Sequence, residues 1–435
     1  MRSMPRVSQD DAQGRPIYLD NHATTPVDPR VARVMYDATL LTYGNPSSSE
    51  HFYGEQADSL LGSARLEVAA LIGAPAAGVI FTSGATEALN LAIEGFVRRG
   101  IRSGMARPIR VGLLPLEHVA VVTICRKLKE DGLVSLTYFK VDRCGRVDLD
   151  DFTRKCQDGL DLVCVMGANN EIGTVYPLKT AAGIAKSHGA TFLTDATQSA
   201  GKVPISFSEW GLDLLVFSAH KIYGPKGVGA LVVSSASLLE PIAFGGGHER
   251  GLRPGTPNVP GIAGLAEACR LRRIEMDDDE KAIGSRRDRL EAALARAVPD
   301  IRVNGDREHR LAGNLHVSVP GIPGSAVVAR LRGTVAISTG SACTSGAEGP
   351  SHVLQAIGLN DSEKAGALRI GLGKFTKDEE VEASTELIGN AALAVSQAMS
   401  REEMEQGAVE IRRAAQDLKG VAREGHDVQR HSTLR

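Results

Sequence analysis

The sequence contains few aromatic residues and no long hydrophobic run. Phe, Trp and Tyr make up 4% of its 435 residues, and there is a single tryptophan. The longest uncharged apolar stretch, residues 68–81, is interrupted by Gly73, Pro75 and Gly78. Because a membrane helix needs roughly 20 consecutive apolar residues, the sequence predicts no membrane-spanning segment.

Charge of either sign is not in excess. The 50 Lys and Arg residues nearly balance the 52 Asp and Glu residues, which gives a formal net charge of −2. We expect no binding to nucleic acid or to an anionic membrane surface, because both need a basic surface. Residues 1–16 include two aspartates and lack the apolar segment of a signal peptide.

The six cysteines show no spacing typical of metal ligands, so no metal site is predicted. Most of them, such as Cys164 in "LVCVM", have apolar neighbours and are predicted to be reduced core residues. Reduced thiols indicate a reducing compartment, which we take to be the cytoplasm. Cys343 differs, because it lies in "STGSACTSGAEGP", a loop with little to pack into a core. Its thiol is predicted to be exposed and mobile, and an incidental loop cysteine is the alternative.

Short β-rich runs alternate with helical patterns from about residue 17 onward. "GVIFTSG", for example, precedes "ATEALNLAIEGFVRR", where Leu89, Ile93, Phe96 and Val97 fall on one helical face. This alternation predicts an α/β fold in which helices cover both faces of a mainly parallel sheet.

The chain is long for a single hydrophobic core. We predict a flexible N-terminal arm at 1–16, a large domain at 17–261 and a smaller domain at 262–400 that carries the Cys343 loop. The segment after the arm is also a candidate to pack on the smaller domain. A charged tail at 401–435 is predicted to be helical at first and then disordered.

Polar clusters follow the predicted strands, where open α/β sheets bind ligands. "TSGATE" (82–87) offers the free amides of a helix start to a phosphate, or is simply a well-capped helix. Asp195 ends "TFLTD", with Gln198 three residues later; a carboxylate at that depth needs a cation or several donors, unless it caps a helix. Lys221 ends "DLLVFSAHK" and is a candidate nucleophilic amine. A surface lysine or a phosphate counter-charge is the alternative.

Two further residues extend this pattern. His118 follows "VGLLPLE" and, taken alone, is a satisfied loop histidine. Arg369 lies among apolar residues in "ALRIGLGKF" and needs a carboxylate partner, either a ligand or an acidic residue of the chain. A phosphate cradle, a carboxylate for a pyridine nitrogen, a lysine for an aldehyde and an arginine for an amino acid together match pyridoxal 5′-phosphate.

The motifs "YLDNHATTPVDPRV", "FTSGATE", "NNEIG", "DATQSAGK", "SAHKIYGPKGVGAL", "GGGHERGLRPGT" and "STGSACTS" resemble the cysteine desulfurases. These are class V, fold-type I pyridoxal-phosphate-dependent transferases, and the "GSACTS" loop is similar to that of the NifS/IscS-like group. The resemblance covers residues 17–380. It implies a large domain with a mainly parallel seven-stranded sheet, a smaller α+β domain, and conversion of L-cysteine to L-alanine that leaves a persulfide on Cys343.

The resemblance also implies site roles. Lys221 holds the cofactor covalently and moves protons, Asp195 pairs with the pyridine nitrogen, and Gln198 hydrogen-bonds the phenolic oxygen. His118 stacks on the ring and helps to deprotonate Cys343. The other implied ligands are Gly84, Ala85, Thr86, Ser218 and His220 for the phosphate, Thr256 for the phosphate of the neighbouring subunit, and Asn170, Arg369 and Asn45 for the substrate carboxylate. Asn21 and His22 receive no catalytic role, and Lys374, where relatives often have arginine, is expected to be a harmless surface change.

Partners follow from the same resemblance. It implies a homodimer and a sulfur-acceptor protein, a scaffold or relay for iron–sulfur clusters, thio-cofactors or thionucleosides. A selenocysteine lyase or an aminotransferase-like relative is the alternative enzyme, although the cysteine loop argues against an aminotransferase. A non-catalytic sulfur-relay or regulatory protein is the alternative outside enzymes. Lys221, Asp195, His118, Arg369 and Cys343 together argue against it.

Overall fold

Strands and helices alternate along the computed structural model, which describes residues 14–340 and 351–400. The strands are β1 (Ile17–Tyr18), β2 (Val79–Thr82), β3 (Ile109–Leu113), β4 (Val134–Tyr138), β5 (Leu162–Cys164), β6 (Thr191–Asp195), β7 (Leu214–Ser218), β8 (Gly229–Val233), β9 (Arg302–Val303), β10 (Asn314–Ser318), β11 (Val335–Ala336) and β12 (Ala367–Gly371). The helices are α1 (Pro29–Leu41), α2 (Phe52–Ile72), α3 (Ala85–Arg102), α4 (Val119–Glu130), α5 (Leu149–Gln157), α6 (Leu178–Ser187), α7 (Val259–Ala297), α8 (Gly324–Leu331), α9 (His352–Ala356), α10 (Asp361–Ala365) and α11 (378–400).

Seven strands form the central sheet, in the order β2-β8-β7-β6-β5-β3-β4. Strand β8 runs antiparallel to both of its neighbours, and the other pairs are parallel. The predicted mainly parallel seven-stranded sheet is therefore confirmed. The other six strands end at the same edge of the sheet. This edge therefore brings together the polar clusters that follow these strands in sequence.

Helices cover both faces of this sheet. Alternate residues of β7 point to opposite sides, so that Leu214 and Val216 pack in one core and Leu215 and Phe217 in the other, as the pleat of a strand requires. The predicted apolar face of α3, with Leu89, Ile93, Phe96 and Val97, packs into the first of these cores.

A third core lies around two smaller sheets, β12-β10-β9 and β1-β11. The N-terminal segment joins this part, because β1 pairs with β11 and Asp20 bridges to Gly371. Helix α7 contributes Leu265 to a core of the central sheet and Leu290 to the third core. The proposed division at 261–262 lies within the first turn of this helix and stays a prediction. The arm at 1–13, the loop at 341–350 with Cys343 and the tail at 401–435 lie outside the described residues.

The surface role expected of Lys374 is wrong. Its side chain is 5% exposed, and its ammonium group lies 2.6 Å from a carboxylate oxygen of Asp28 and 3.3 Å from one of Glu275. Burial alone would raise the pKa of Asp28, but hydrogen bonds from Arg30 and Lys374 outweigh burial and hold that pKa well below its usual range. Lys374 is therefore a buried ion-pair partner that ties the chain after β12 to the start of α1.

The composition predicts core cysteines and no membrane-spanning segment. Cys125, Cys156, Cys164 and Cys269 are buried free thiols, as predicted for core cysteines. Within residues 14–340 and 351–400, no helix is long and apolar enough to cross a membrane.

Candidate active site

A cavity of about 550 Å³ opens at the shared carboxyl edge of the central sheet. Most of the predicted site residues line it, although they come from different loops of the central sheet and, for Arg369, from strand β12. These residues are Gly84, Ala85, Thr86, His118, Asn170, Asp195, Gln198, Ser218, His220, Lys221 and Arg369.

The amino terminus of α3 forms one end of the cavity. Its N-cap is Gly84, with φ of 152°, and no side chain caps the helix there. The close approach of β8 to this helix start favours glycine at position 229, because a Cβ atom there would lie 2.8 Å from the Cα atom of Gly84. The amides of Ala85 and Thr86 and the positive end of the helix dipole therefore suit an anion. The alternative, a well-capped helix start, is not supported, because no described side chain caps the helix at Gly84, although Thr86 lies in the first turn of α3.

Lys221 lies in a single helical turn (Ala219–Lys221) directly after β7, and its residue is 9% exposed. Its Nζ atom donates to the carbonyl oxygens of His22, at 2.6 Å, and Ala23, at 2.7 Å. The alternative of a solvated surface lysine is therefore wrong. The N-terminal segment holds the amine at the cavity wall.

His220 and Ser218 lie beside Lys221. The Nδ1 atom of His220 is 3.1 Å from the hydroxyl of Thr24. Burial, together with the positive charges of Lys221 and Lys226, lowers the pKa of His220 to about 4. The imidazole is therefore neutral at physiological pH, so it offers an anion a single N–H group rather than a charge.

Asp195 ends β6 at the base of the cavity and is 6% exposed. Its Oδ1 atom accepts a hydrogen bond from the backbone N–H of Thr197 at 2.9 Å. The chain continues as a turn after Asp195, so the helix-cap alternative is wrong. A buried carboxylate with one backbone donor favours a cationic partner in the cavity, as a protonated pyridine nitrogen would be.

His118 is the N-cap residue of α4, and its Nδ1 atom accepts the backbone N–H of Ala120 at 3.2 Å. An accepting Nδ1 carries no proton, so the neutral ring has its proton on Nε2. In this arrangement His118 presents a hydrogen-bond donor, and it gains a second proton only when the capping bond to Ala120 is released.

Arg369 is 1% exposed and crosses from β12 to the cavity. One guanidinium nitrogen lies 2.9 Å from a carboxylate oxygen of Asp20, and another donates to the carbonyl of Asn170 at 3.1 Å. Its Nε atom is buried and has no hydrogen-bond partner among the residues that the structure describes. The chain therefore supplies an acidic partner, as the alternative predicted, and still leaves donor capacity for a ligand.

Three predicted residues are not among those that line the cavity. Asn45 is exposed, and its side-chain oxygen accepts the backbone N–H of Ser47. Thr256 is exposed in the loop between β8 and α7. Cys343 lies outside the described residues.

The sequence reasoning missed the cavity wall that the N-terminal segment supplies. His22, Ala23 and Thr24 all line the cavity, and the carbonyl of His22 also accepts from Gln198 at 2.9 Å. The signal was present in "NHATTP", a polar run without helical or strand periodicity directly after a strand. The sequence analysis gave His22 no catalytic role and did not predict its place in the cavity wall.

The residues of this cavity fit pyridoxal 5′-phosphate. The open helix terminus suits its phosphate, Asp195 its pyridine nitrogen and Lys221 its aldehyde. The Nε atom of Arg369, which no described residue bonds, suits the carboxylate of an amino acid that reacts with the cofactor.

Comparisons with known proteins agree with this chemistry. Residues 17–383 match the family described as aminotransferase class-V. The cysteine desulfurase IscS of Anaeromyxobacter dehalogenans is 42% identical over 376 residues, which is 86% of this chain and 92% of the relative. The human cysteine desulfurase is 40% identical over 374 residues, which is 86% of this chain and 80% of the relative.

Solved structures agree as well. A NifS-like protein superposes with a TM-score of 0.80 at 34% identity, over 86% of this chain and 98% of its own. A structure described as SspA in complex with cysteine superposes with a TM-score of 0.72 at 30% identity, over 83% of this chain and 100% of its own. The chain thus belongs to the class-V aminotransferase family and, within it, is a pyridoxal-phosphate-dependent cysteine desulfurase.

Proposed function

We propose that this chain takes sulfur from L-cysteine, releases L-alanine and keeps the sulfur as a persulfide on Cys343. The observation that supports this most is the meeting of Lys221, Asp195 and the open amino terminus of α3 in one cavity. Bound pyridoxal phosphate supplies an electron sink for the substrate carbons. Lys221 would hold the aldehyde and then shuttle a proton to and from the substrate carbons, because its amine lies at the cavity wall.

The substrate carboxylate is assigned to Arg369 and Asn170. Both line the cavity. A guanidinium has five N–H donors, and in Arg369 one nitrogen donates to Asp20 and another to the carbonyl of Asn170. Asp20 orients the guanidinium without occupying all of it. A carboxylate bound there fixes the α-carbon beside the amine of Lys221.

The sulfur step belongs to Cys343. Its thiolate attacks the substrate sulfur, the carbon–sulfur bond breaks, and a sulfur–sulfur bond forms; the electrons of the broken bond stay with the substrate carbon, which is protonated. A free thiol has a pKa of about 8.5, so a nearby base favours the reaction at neutral pH. We assign that help to His118, which lines the cavity and takes the proton as its bond to Ala120 opens.

A product assay tests this function. Purified protein with pyridoxal phosphate, L-cysteine and a thiol reductant is expected to yield alanine and sulfide in equal amounts. Without reductant, one sulfur atom per active chain is expected to remain protein-bound. L-Serine is the matched control, because it differs from L-cysteine only in having oxygen in place of sulfur. Pyruvate and ammonia in place of alanine would contradict the proposal, and a large preference for L-selenocysteine would favour the alternative enzyme.

A homodimer is the second part of the proposal. The end of α1 and the start of α2 expose a set of apolar side chains that we call the α1–α2 patch. Its residues are Tyr36, Leu40, Leu41, Tyr43, Phe52 and Tyr53. Leu41 is 64% exposed and Phe52 is 67% exposed, and contiguous exposure of this kind marks protein interfaces. The hydroxyl of Ser47, between α1 and α2, lies 3.0 Å from Nε2 of His248 in the loop that carries Thr256. A second copy on this face would therefore bring Thr256 of one chain towards the phosphate site of the other.

The double variant Leu41→Asp and Phe52→Asp is expected to be monomeric, because two carboxylates cannot be buried in an apolar interface without partners. Cofactor affinity is expected to fall about tenfold, the effect of one lost hydrogen bond to phosphate. Sedimentation gives the mass, and absorbance titration gives the affinity. Ile274→Asp, at an exposed position of α7, is the control. A double variant that stays dimeric would refute this interface.

The persulfide needs an acceptor to complete the cycle. We assign this role to a sulfur-acceptor protein of an iron–sulfur, thio-cofactor or thionucleoside pathway in a reducing compartment such as the cytoplasm. Five unpaired cysteines among the described residues are consistent with that compartment.

A further inference from the structure

Gln198 is the residue expected to meet the phenolic oxygen of the cofactor, and its amide orientation is set by its neighbours. It is 3% exposed. Its Nε2 atom donates to the carbonyl oxygen of His22 at 2.9 Å, and its Oε1 atom accepts from Nζ of Lys202 at 3.1 Å. A carbonyl oxygen can only accept, so the atom that faces it must be the nitrogen. The reversed amide would leave two oxygens in contact.

The imidazole of His22 supports the same orientation. Its Nδ1 atom lies 3.4 Å from Oε1 of Gln198, and because that oxygen only accepts, Nδ1 carries the proton. Burial, with the charges of Lys202 and Arg369, lowers the pKa of His22, so the ring is neutral. Gly371 leaves the space for this ring, since a Cβ atom there would lie 2.9 Å from it.

These contacts determine what Gln198 offers to a ligand. An amide nitrogen has two N–H groups, and the carbonyl of His22 takes one of them. Because Gln198 lines the cavity, the second N–H is the group available to a bound molecule. The oxygen is turned away towards Lys202.

We propose that Lys202 and His22 are positioning residues, which hold the Gln198 amide so that it donates an N–H to the phenolic oxygen of bound pyridoxal phosphate. This inference rests on the proposed function. Neither residue needs to touch the cofactor. Each acts through the amide, and together they exclude the orientation in which the Gln198 oxygen would repel a phenolate.

The surroundings of Lys202 contain several charges. Burial lowers the pKa of Lys202, the neighbouring positive charges of Lys221 and Arg272 lower it further, and Glu280 opposes them. Glu280 is itself buried, which raises its pKa, and Arg272 bonds its carboxylate at 2.8 Å. A neutral amine still has N–H groups, so Lys202 can hold the amide oxygen in either protonation state.

The test is a double-mutant cycle on the holoenzyme, read by absorbance rather than by turnover. The visible spectrum as a function of pH gives the apparent pKa of the linkage between Lys221 and the cofactor. The nitrogen of this linkage, when protonated, would compete with Gln198 for the phenolate oxygen. Gln198→Ala is expected to raise this pKa by about one unit, the effect of a lost hydrogen bond to a charged oxygen. Lys202→Met is expected to raise it by a similar amount.

The double variant separates two explanations. If Lys202 acts through the amide, Lys202→Met adds no shift in the Gln198→Ala background. A full shift in that background means that its charge acts through space, and the proposal is then wrong. Lys202→Gln keeps an N–H donor without the charge, so its apparent pKa for the linkage is expected to stay close to that of the wild type. A shift in Lys202→Gln as large as that in Lys202→Met would also refute the proposal. A wild-type chain that forms no visible band with pyridoxal phosphate would instead refute the proposed function.

Discussion

Replacing Lys221 with alanine is expected to remove the normal visible band of bound cofactor and to lower alanine formation by about 10³-fold or more. In the proposed mechanism this amine joins the aldehyde and moves the substrate proton, and the carbonyls of His22 and Ala23 hold it at the cavity wall. The residues that would hold the phosphate and the ring are unchanged, so the variant is expected to bind the cofactor without the covalent linkage. Absorbance spectra before and after borohydride reduction, with the alanine assay, measure both effects.

Lys226→Ala is the matched control for this variant. Lys226 also lines the cavity, five residues further along the chain, but it is exposed. The control is expected to keep the visible band and its reduction by borohydride. If Lys221→Ala kept the same band as wild type, the covalent role of Lys221 would be wrong.

Local sequence patterns predicted much of the fold, because short segments of the chain determine where its strands and helices form. Alternation of strands and helices indicated the central sheet. The apolar face of α3 was visible in the spacing of Leu89, Ile93, Phe96 and Val97, all of which are buried. Because open α/β sheets bind ligands beyond the carboxyl ends of their strands, the ends of two predicted strands indicated that Asp195 and Lys221 share one site.

The partners of these residues were harder to predict, because they come from distant parts of the chain. His22, whose carbonyl accepts from Lys221, lies 199 residues before it, and Asp20 lies 349 residues before Arg369. The periodic pattern of a single segment carries no information about contacts with residues so distant in sequence. Lys374 shows the same limit: it is expected from the resemblance to be a harmless surface change, but Asp28 and Glu275 lie against its ammonium group.

Cys343→Ser is expected to keep the visible band and to change it on addition of L-cysteine, while sulfide release falls by about 10³-fold or more. A hydroxyl is a far weaker nucleophile towards sulfur than a thiolate, whereas binding of the cofactor and of the substrate carboxylate depends on other residues. Sulfide release in the presence of a reductant and protein-bound sulfur in its absence measure the loss. Retained substrate-dependent spectra would place the defect after substrate binding.

The remaining cysteines are poor replacements for Cys343, which makes this variant decisive. Burial raises the pKa of Cys156 to about 11. A hydrogen bond with Cys125, together with burial, raises the pKa of Cys164 well above its ordinary value, and burial with the charge of Asp142 raises that of the partly exposed Cys144. At neutral pH these thiols stay protonated and are weak nucleophiles. Cys144→Ser is therefore the matched control and is expected to release sulfide at the wild-type rate. Sulfide release at that rate from Cys343→Ser would mean that sulfur leaves the substrate without a protein persulfide at this position, and the proposed mechanism would be wrong.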